Sequence, residues 1–241
     1  AIALPAAGRA AGNDFSIAMR ELLLTDPARA LSAAESALAR TGAQQPWARS
    51  RQPWVQAQAQ FRTGDIAGAE ASRREVASLR LTGRADALRK AEIALLRAMI
   101  AWQADDPGQA LPLLRQAQRH AITARAVRIE GQALQLLGVL YSDASDSANA
   151  IRYLELAGEV YHGDDAYNFS LENNTGVALT LAERFEDAET RFTRANRIAR
   201  NLNAQPMVLL TQSNIAFAQV EAGQIDAAAR TIAQIPAAQF P

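Results

Sequence analysis

The residues able to do chemistry are few. His162-Gly163-Asp164-Asp165 places an imidazole and two carboxylates within four positions, the raw material of a hard-cation site. The same aspartates serve more simply as caps for a helix that follows. Asp105-Asp106-Pro107-Gly108 reads as a turn and helix start, not as an acid/base pair. His120, the other histidine, falls at a helix end, where a cation would meet the negative pole of the helix dipole. The chain has no cysteine, which excludes disulfides, thiolate metal sites and cysteine nucleophiles. No G-x-x-x-x-G-K-S/T, G-x-G-x-x-G, H-E-x-x-H or G-x-S-x-G occurs. No catalytic residue, cofactor or metal site is therefore expected, and the chain does not read as an enzyme.

Two asparagines are the better lead. Asn174 and Asn214 each stand two residues ahead of a small residue, Gly176 and Ala216. A side-chain amide both donates and accepts, which suits a peptide bond.

The elements that carry them follow from composition. Alanine makes up 54 of 241 residues, against 13 glycines and 9 prolines. Alanine is the strongest helix former and the other two are punctuation, so the chain is expected to be all-α. The 25 basic and 25 acidic residues cancel, which argues against a nucleic-acid or polybasic membrane surface. No apolar run reaches the length needed to span a bilayer.

Self-similarity sets the organisation. A turn is followed by an alanine, an apolar residue four positions on, and a small or apolar residue three beyond that. The alanines are Ala30, Ala69, Ala110, Ala150, Ala188 and Ala228, spaced 39, 41, 40, 38 and 40 residues apart. Before each turn runs an amphipathic stretch, such as Leu134, Leu137, Gly138 and Tyr141. After it runs another, such as Ala150, Leu154, Ala157 and Tyr161. Each unit is thus a helix pair, and a pair cannot bury its apolar face without stacking on the next.

Leu134…Leu137-Gly138…Tyr141…Ala150…Leu154…Ala157 resembles the tetratricopeptide repeat (TPR) phrase. Asn174-Thr175-Gly176…Leu179…Ala188…Phe192…Ala195 repeats it, and Asn214-Ile215-Ala216…Ala228…Ile232 repeats it with alanine for glycine. The resemblance implies a right-handed α-solenoid of about six TPR-like helix-turn-helix repeats, about twelve helices, over 13–235. Flexible tails are expected over 1–12 and 236–241. Gly138, Gly176, Ala98 and Ala216 are expected where the first helix crosses its partner, with the repeat alanines as the matching small sites. The period of about 40 exceeds the family's usual length and is similar to the extended repeats of bacterial regulators.

In TPR proteins the first helices line the concave face. The resemblance therefore implies a groove with Trp54, Gln58, Phe61 and Arg62, then Leu95, Met99, Trp102 and Gln103. It continues with Gln132, Gln135, Val139 and Ser142, then Ser170, Asn173, Asn174 and Val177. Leu210, Ser213, Asn214, Phe217 and Glu221 complete it. The resemblance also implies that Asn174 and Asn214 grip the backbone or carboxylate of an extended ligand; the alternative is that each bonds a neighbouring helix or water. Trp54, Phe61 and Trp102 form either an aromatic floor or inter-repeat core.

The expected function is non-enzymatic: a protein-interaction or ligand-sensing domain. The repeat style is similar to the extracytoplasmic sensor regions of bacterial diguanylate cyclases (GGDEF proteins) and histidine kinases. That reading implies a periplasmic location and pairing into a homodimer. The absence of cysteine and of an initiator methionine fits it. The alternative is a free-standing adaptor or chaperone-like scaffold, cytoplasmic, that binds a peptide or protein tail in the groove. Neither reading implies nucleic acid or membrane insertion by this segment.

Overall fold

A computed structural model describes residues 21–40 and 46–235. The expected tails, 1–12 and 236–241, lie outside them. Every regular element among the described residues is a helix. After helical residues 21–25 come α1 (Pro27–Arg40), α2 (Pro46–Arg62), α3 (Ile66–Ser78), α4 (Gly83–Gln103) and α5 (Pro107–Ala124). There follow α6 (Val127–Asp143), α7 (Ser147–Val160), α8 (Asp165–Leu181), α9 (Phe185–Asn201), α10 (Gln205–Glu221) and α11 (Ile225–Ala233). Consecutive helices within α1–α5 and within α6–α11 pack on one another in the manner of an α-solenoid. The described residues group into two compact units, one on either side of a division between residues 129 and 130.

The turn inside each repeat explains the regular spacing. Gly64, Asp105, Ser145, Glu183 and Gly223 all take positive φ, between 54° and 82°. The next amide, of Asp65, Asp106, Asp146, Arg184 or Gln224, reaches back to a carbonyl five residues earlier at 2.8–2.9 Å. That bond closes the end of the first helix in a Schellman turn. In three repeats the same residue then opens the second helix. Asp65, Asp106 and Asp146 accept from the amides of Gly68, Gln109 and Asn149. Asp26 does the same for Arg29 at 3.0 Å. Each such cap stabilises its helix by about 1 kcal/mol. Arg184 and Gln224, in the last two repeats, make no side-chain cap.

The repeat alanines sit four residues after those positions and are all buried, Ala30, Ala69, Ala110, Ala150 and Ala188 at 0% exposure and Ala228 at 2%. The glycines opposite them are there for lack of space. A Cβ on Gly138 would lie 2.6 Å from Leu154 Cγ, and one on Gly176 would lie 2.5 Å from the Phe192 ring. The expected crossing points of the fourth and fifth repeats are thus borne out.

In the first unit, Trp54, Ala57, Val76 and Leu96 form a core, with Phe61, Ile93 and Ile100 packed against it. Arg89 ties α3 to α4, donating to the carbonyls of Ala77 and Leu79 and pairing with Asp86. In the second unit, Leu179, Ala188, Phe192 and Ala218 form the core, flanked by Ile151 and Ile215. A buried polar link joins its last repeats: Asn196 Nδ2 donates to Val208 O at 3.1 Å and to Thr211 Oγ1 at 2.7 Å.

Candidate recognition face

The first helices of the second unit are apolar on more than one side, because each packs against neighbours before and after it. α8 buries Phe169, Leu171 and Leu179, and α10 buries Val208, Ala216 and Ala218. What these helices leave uncovered is therefore informative. On α8 the exposed large apolar residues are Val177 and Leu181; on α10 they are Leu210, Phe217 and Val220. Phe217 is 55% exposed. Position 177 lies one turn beyond Asn173 and Leu181 one turn beyond 177; Leu210, Asn214 and Phe217 recur at helical spacing on α10. An exposed row of this kind marks an interaction surface more often than chance.

The asparagines lie in the same rows. Asn214 Nδ2 donates to Asn173 Oδ1 at 3.0 Å, bridging α10 and α8. Of the two expectations for Asn214, the bond to a neighbouring helix is the one realised. Asn174 is half-buried and makes no side-chain hydrogen bond to a described residue. Its amide, with Asn173 Nδ2 and Asn214 Oδ1, offers donors and acceptors beside an apolar row. That pairing of features is suited to an extended chain, whose backbone needs amide partners and whose side chains need apolar contact. Ser170 is half-buried, while Ser213 and Glu221 are exposed beside these rows.

Other expected groove residues fall elsewhere. Trp54 is 4% exposed and Leu95 2%, both spent on core packing. Of the two readings for Trp54, core is the correct one, and Leu95 is no groove residue. Phe61 is half-buried against the same core, whereas Trp102 is exposed at 38%. Gln58 and Met99 are half-buried; Arg62 and Gln103 are exposed. On α6, Gln135 is buried at 6% and presents almost nothing to a ligand, while Gln132, Val139 and Ser142 are half-buried. The expectation for Gln135 is corrected by that burial. Leu181 and Val220 escaped the sequence reading. Helical spacing from Val177 and Phe217 was the signal for them.

The candidate chemical groups resolve into structure. Asp164 caps α8 at the Tyr167 amide, 2.8 Å away, and accepts the Tyr161 hydroxyl at 2.9 Å. His162 Nδ1 lies 3.1 Å from Gly158 O. Asp106 caps α5. Burial first, then the charges of Lys90 and Arg119, push the pKa of His120 down, and α5 runs on past it to Ala124. Among the described residues no group of His, Asp and Glu could hold a metal ion.

The chain matches no protein-family model and no curated protein sequence. Solved structures share its fold. The apo form of RapI aligns with a TM-score of 0.61 at 12% identity, over 91% of this chain and 62% of that one. BtubC (BKLC) from P. vanneervenii aligns at 0.55 and 19% identity, over 89% of this chain and 91% of that one. Aspartyl phosphate phosphatase F from Bacillus subtilis aligns at 0.54 and 16% identity, over 91% and 60%. The chain thus spans less than two thirds of RapI and of phosphatase F. At such identities the likeness carries the fold alone. The likeness supports a TPR-like helical-repeat fold for this chain.

Proposed function

We propose that the chain is a non-enzymatic adaptor whose second unit binds an extended peptide segment of a partner protein across α8 and α10. The observation that carries this is the juxtaposition of exposed Val177, Leu181, Leu210, Phe217 and Val220 with the half-buried amide of Asn174, which bonds no described residue. Apolar partner side chains would lie against the row, and the partner's backbone would pair with Asn174. The adaptor reading needs this face alone. The reading as a sensor region of a membrane-bound cyclase or kinase needs an output domain as well, and is a separate proposal answered by the flanking gene sequence. Among the described residues no helix is long and apolar enough to cross a membrane.

The test is selection of peptides from a random display library on the purified protein, followed by calorimetry of the selected peptides. Phe217→Ser should weaken binding by about tenfold or more, the typical effect of removing a buried aromatic anchor. Selected peptides that bind Phe217→Ser and Asn174→Ala as tightly as the unaltered protein would overturn the assignment.

A further inference from the structure

We propose that the second unit also holds a separate site for a small organic dianion of the phosphate-monoester class. The site is a cleft of about 430 Å³ formed by α7, α8 and α9, within the size range of small-molecule sites. Of its α8 residues, Asn168 and Glu172 lie on the side of that helix away from Asn174 and Val177, and Leu171, one turn before Asn174, borders the two sides. It is therefore distinct from the peptide face.

The charge in the cleft does not balance. α9 contributes Arg191, Arg194 and Arg197, one per turn. The carboxylate that lines the cleft is Glu172, 3.2 Å from Arg191 Nη1 and 4.0 Å from Arg194 Nη1. Three guanidinium groups against one carboxylate leave two positive charges. Arg197 is exposed and has no carboxylate partner among the described residues. A concave surface of one sign concentrates counter-ions. Guanidinium forks match the oxygens of a phosphate in pairs.

The remaining lining sets the class of ligand. Beside Gly158, His162 and Asn168, Leu171 and Ile198 add an apolar patch, which favours an organic ester over the bare anion. The chain carries no net charge, and three of its 25 basic residues line this one cleft. An extended polyanion such as nucleic acid needs a longer basic surface.

Phenyl phosphate, with a dianion and a small apolar group, is the probe; benzyl alcohol and inorganic phosphate are the controls. Titration by calorimetry should show saturable binding of phenyl phosphate, weaker binding of inorganic phosphate and none of benzyl alcohol. Arg197→Gln should weaken phenyl phosphate about tenfold, the loss of one charge-assisted contact. That variant breaks no internal bond, so its thermal midpoint should not move. Glu172→Gln should strengthen binding severalfold, because it releases Arg191 and Arg194 from their carboxylate. Equal affinity for phenyl phosphate in the unaltered protein and in Arg197→Gln would overturn the proposal. So would the absence of binding at millimolar probe, or a weaker rather than tighter Glu172→Gln.

Discussion

Asn214 donates from Nδ2 to Asn173 Oδ1 at 3.0 Å, although 41 residues separate them. The bond fixes the spacing of two successive first helices and leaves Asn174 free beside it. The two asparagines at equivalent repeat positions therefore do different work. Asn214→Ala should lower stability by about 0.5–1.5 kcal/mol, the usual net effect of one hydrogen bond. Asn174→Ala breaks no internal bond and should stay within about 0.5 kcal/mol of the unaltered protein, yet weaken a selected peptide. Urea unfolding of both variants separates these roles. A stability loss for Asn174→Ala as large as that for Asn214→Ala would show that Asn174 holds the fold too.

Gly176 faces the Phe192 ring, and a Cβ there would stand 2.5 Å from Cε1. Phe192 is 2% exposed and has nowhere to go. Gly176→Ala should cost about 1–3 kcal/mol through overpacking, and Gly176→Leu more. Gly108 is the control, because its added Cβ would meet only Asp106 Oδ1 at 3.4 Å. Gly108→Ala should be neutral or slightly stabilising, since alanine favours helix. Thermal unfolding of the pair distinguishes a helix-crossing constraint from a general effect of losing glycine.

The same packing explains what the sequence revealed. The repeat alanines and their facing glycines are legible because close approach admits only small residues, and Ala30 to Ala228 mark it in every repeat. The free face of the first helices is harder to read. α8 and α10 bury apolar residues on both flanks, so hydrophobic periodicity does not single out the side left to solvent. Gln132 and Gln135 show the difficulty: two glutamines one turn apart, one half-buried and one buried. Trp54 shows it again, as an aromatic that registration placed in a groove and packing placed in the core. The cleft beside Arg191, Arg194 and Arg197 depends on the spacing of α7 from α9, a distance that spacing along the chain does not encode.

The intra-repeat turns allow a reciprocal test. Ser145 occupies φ +60° and Gly223 φ +74° in equivalent turns. The left-handed region costs a non-glycine residue about 1–2 kcal/mol. Gly223→Ala should therefore destabilise by about 1 kcal/mol although nothing lies within 4 Å of an added Cβ. Ser145→Gly should be neutral or stabilising in spite of glycine's extra chain entropy. Opposite signs in the two melting curves would confirm that backbone conformation, not side-chain contact, sets these positions.

Asp146 gives a pH dependence with a defined sign. Its carboxylate accepts from the Asn149 side chain at 2.6 Å and from the Asn149 amide at 3.1 Å. Those bonds, with the charge of Arg152, hold its pKa below the ordinary carboxylate value. A lowered folded-state pKa means that the native state binds the proton less readily than the unfolded chain. The contribution is thus complete above the ordinary value of about 3.9 and disappears as pH falls through the lower folded-state value. Asp146→Asn keeps a good N-cap but has no proton to bind. The unaltered protein should melt higher than Asp146→Asn at pH 7, and the gap should close as pH falls below about 4. Melting curves of both proteins across that range provide the check. A gap that stays constant with pH would mean that the carboxylate's charge does nothing for the turn.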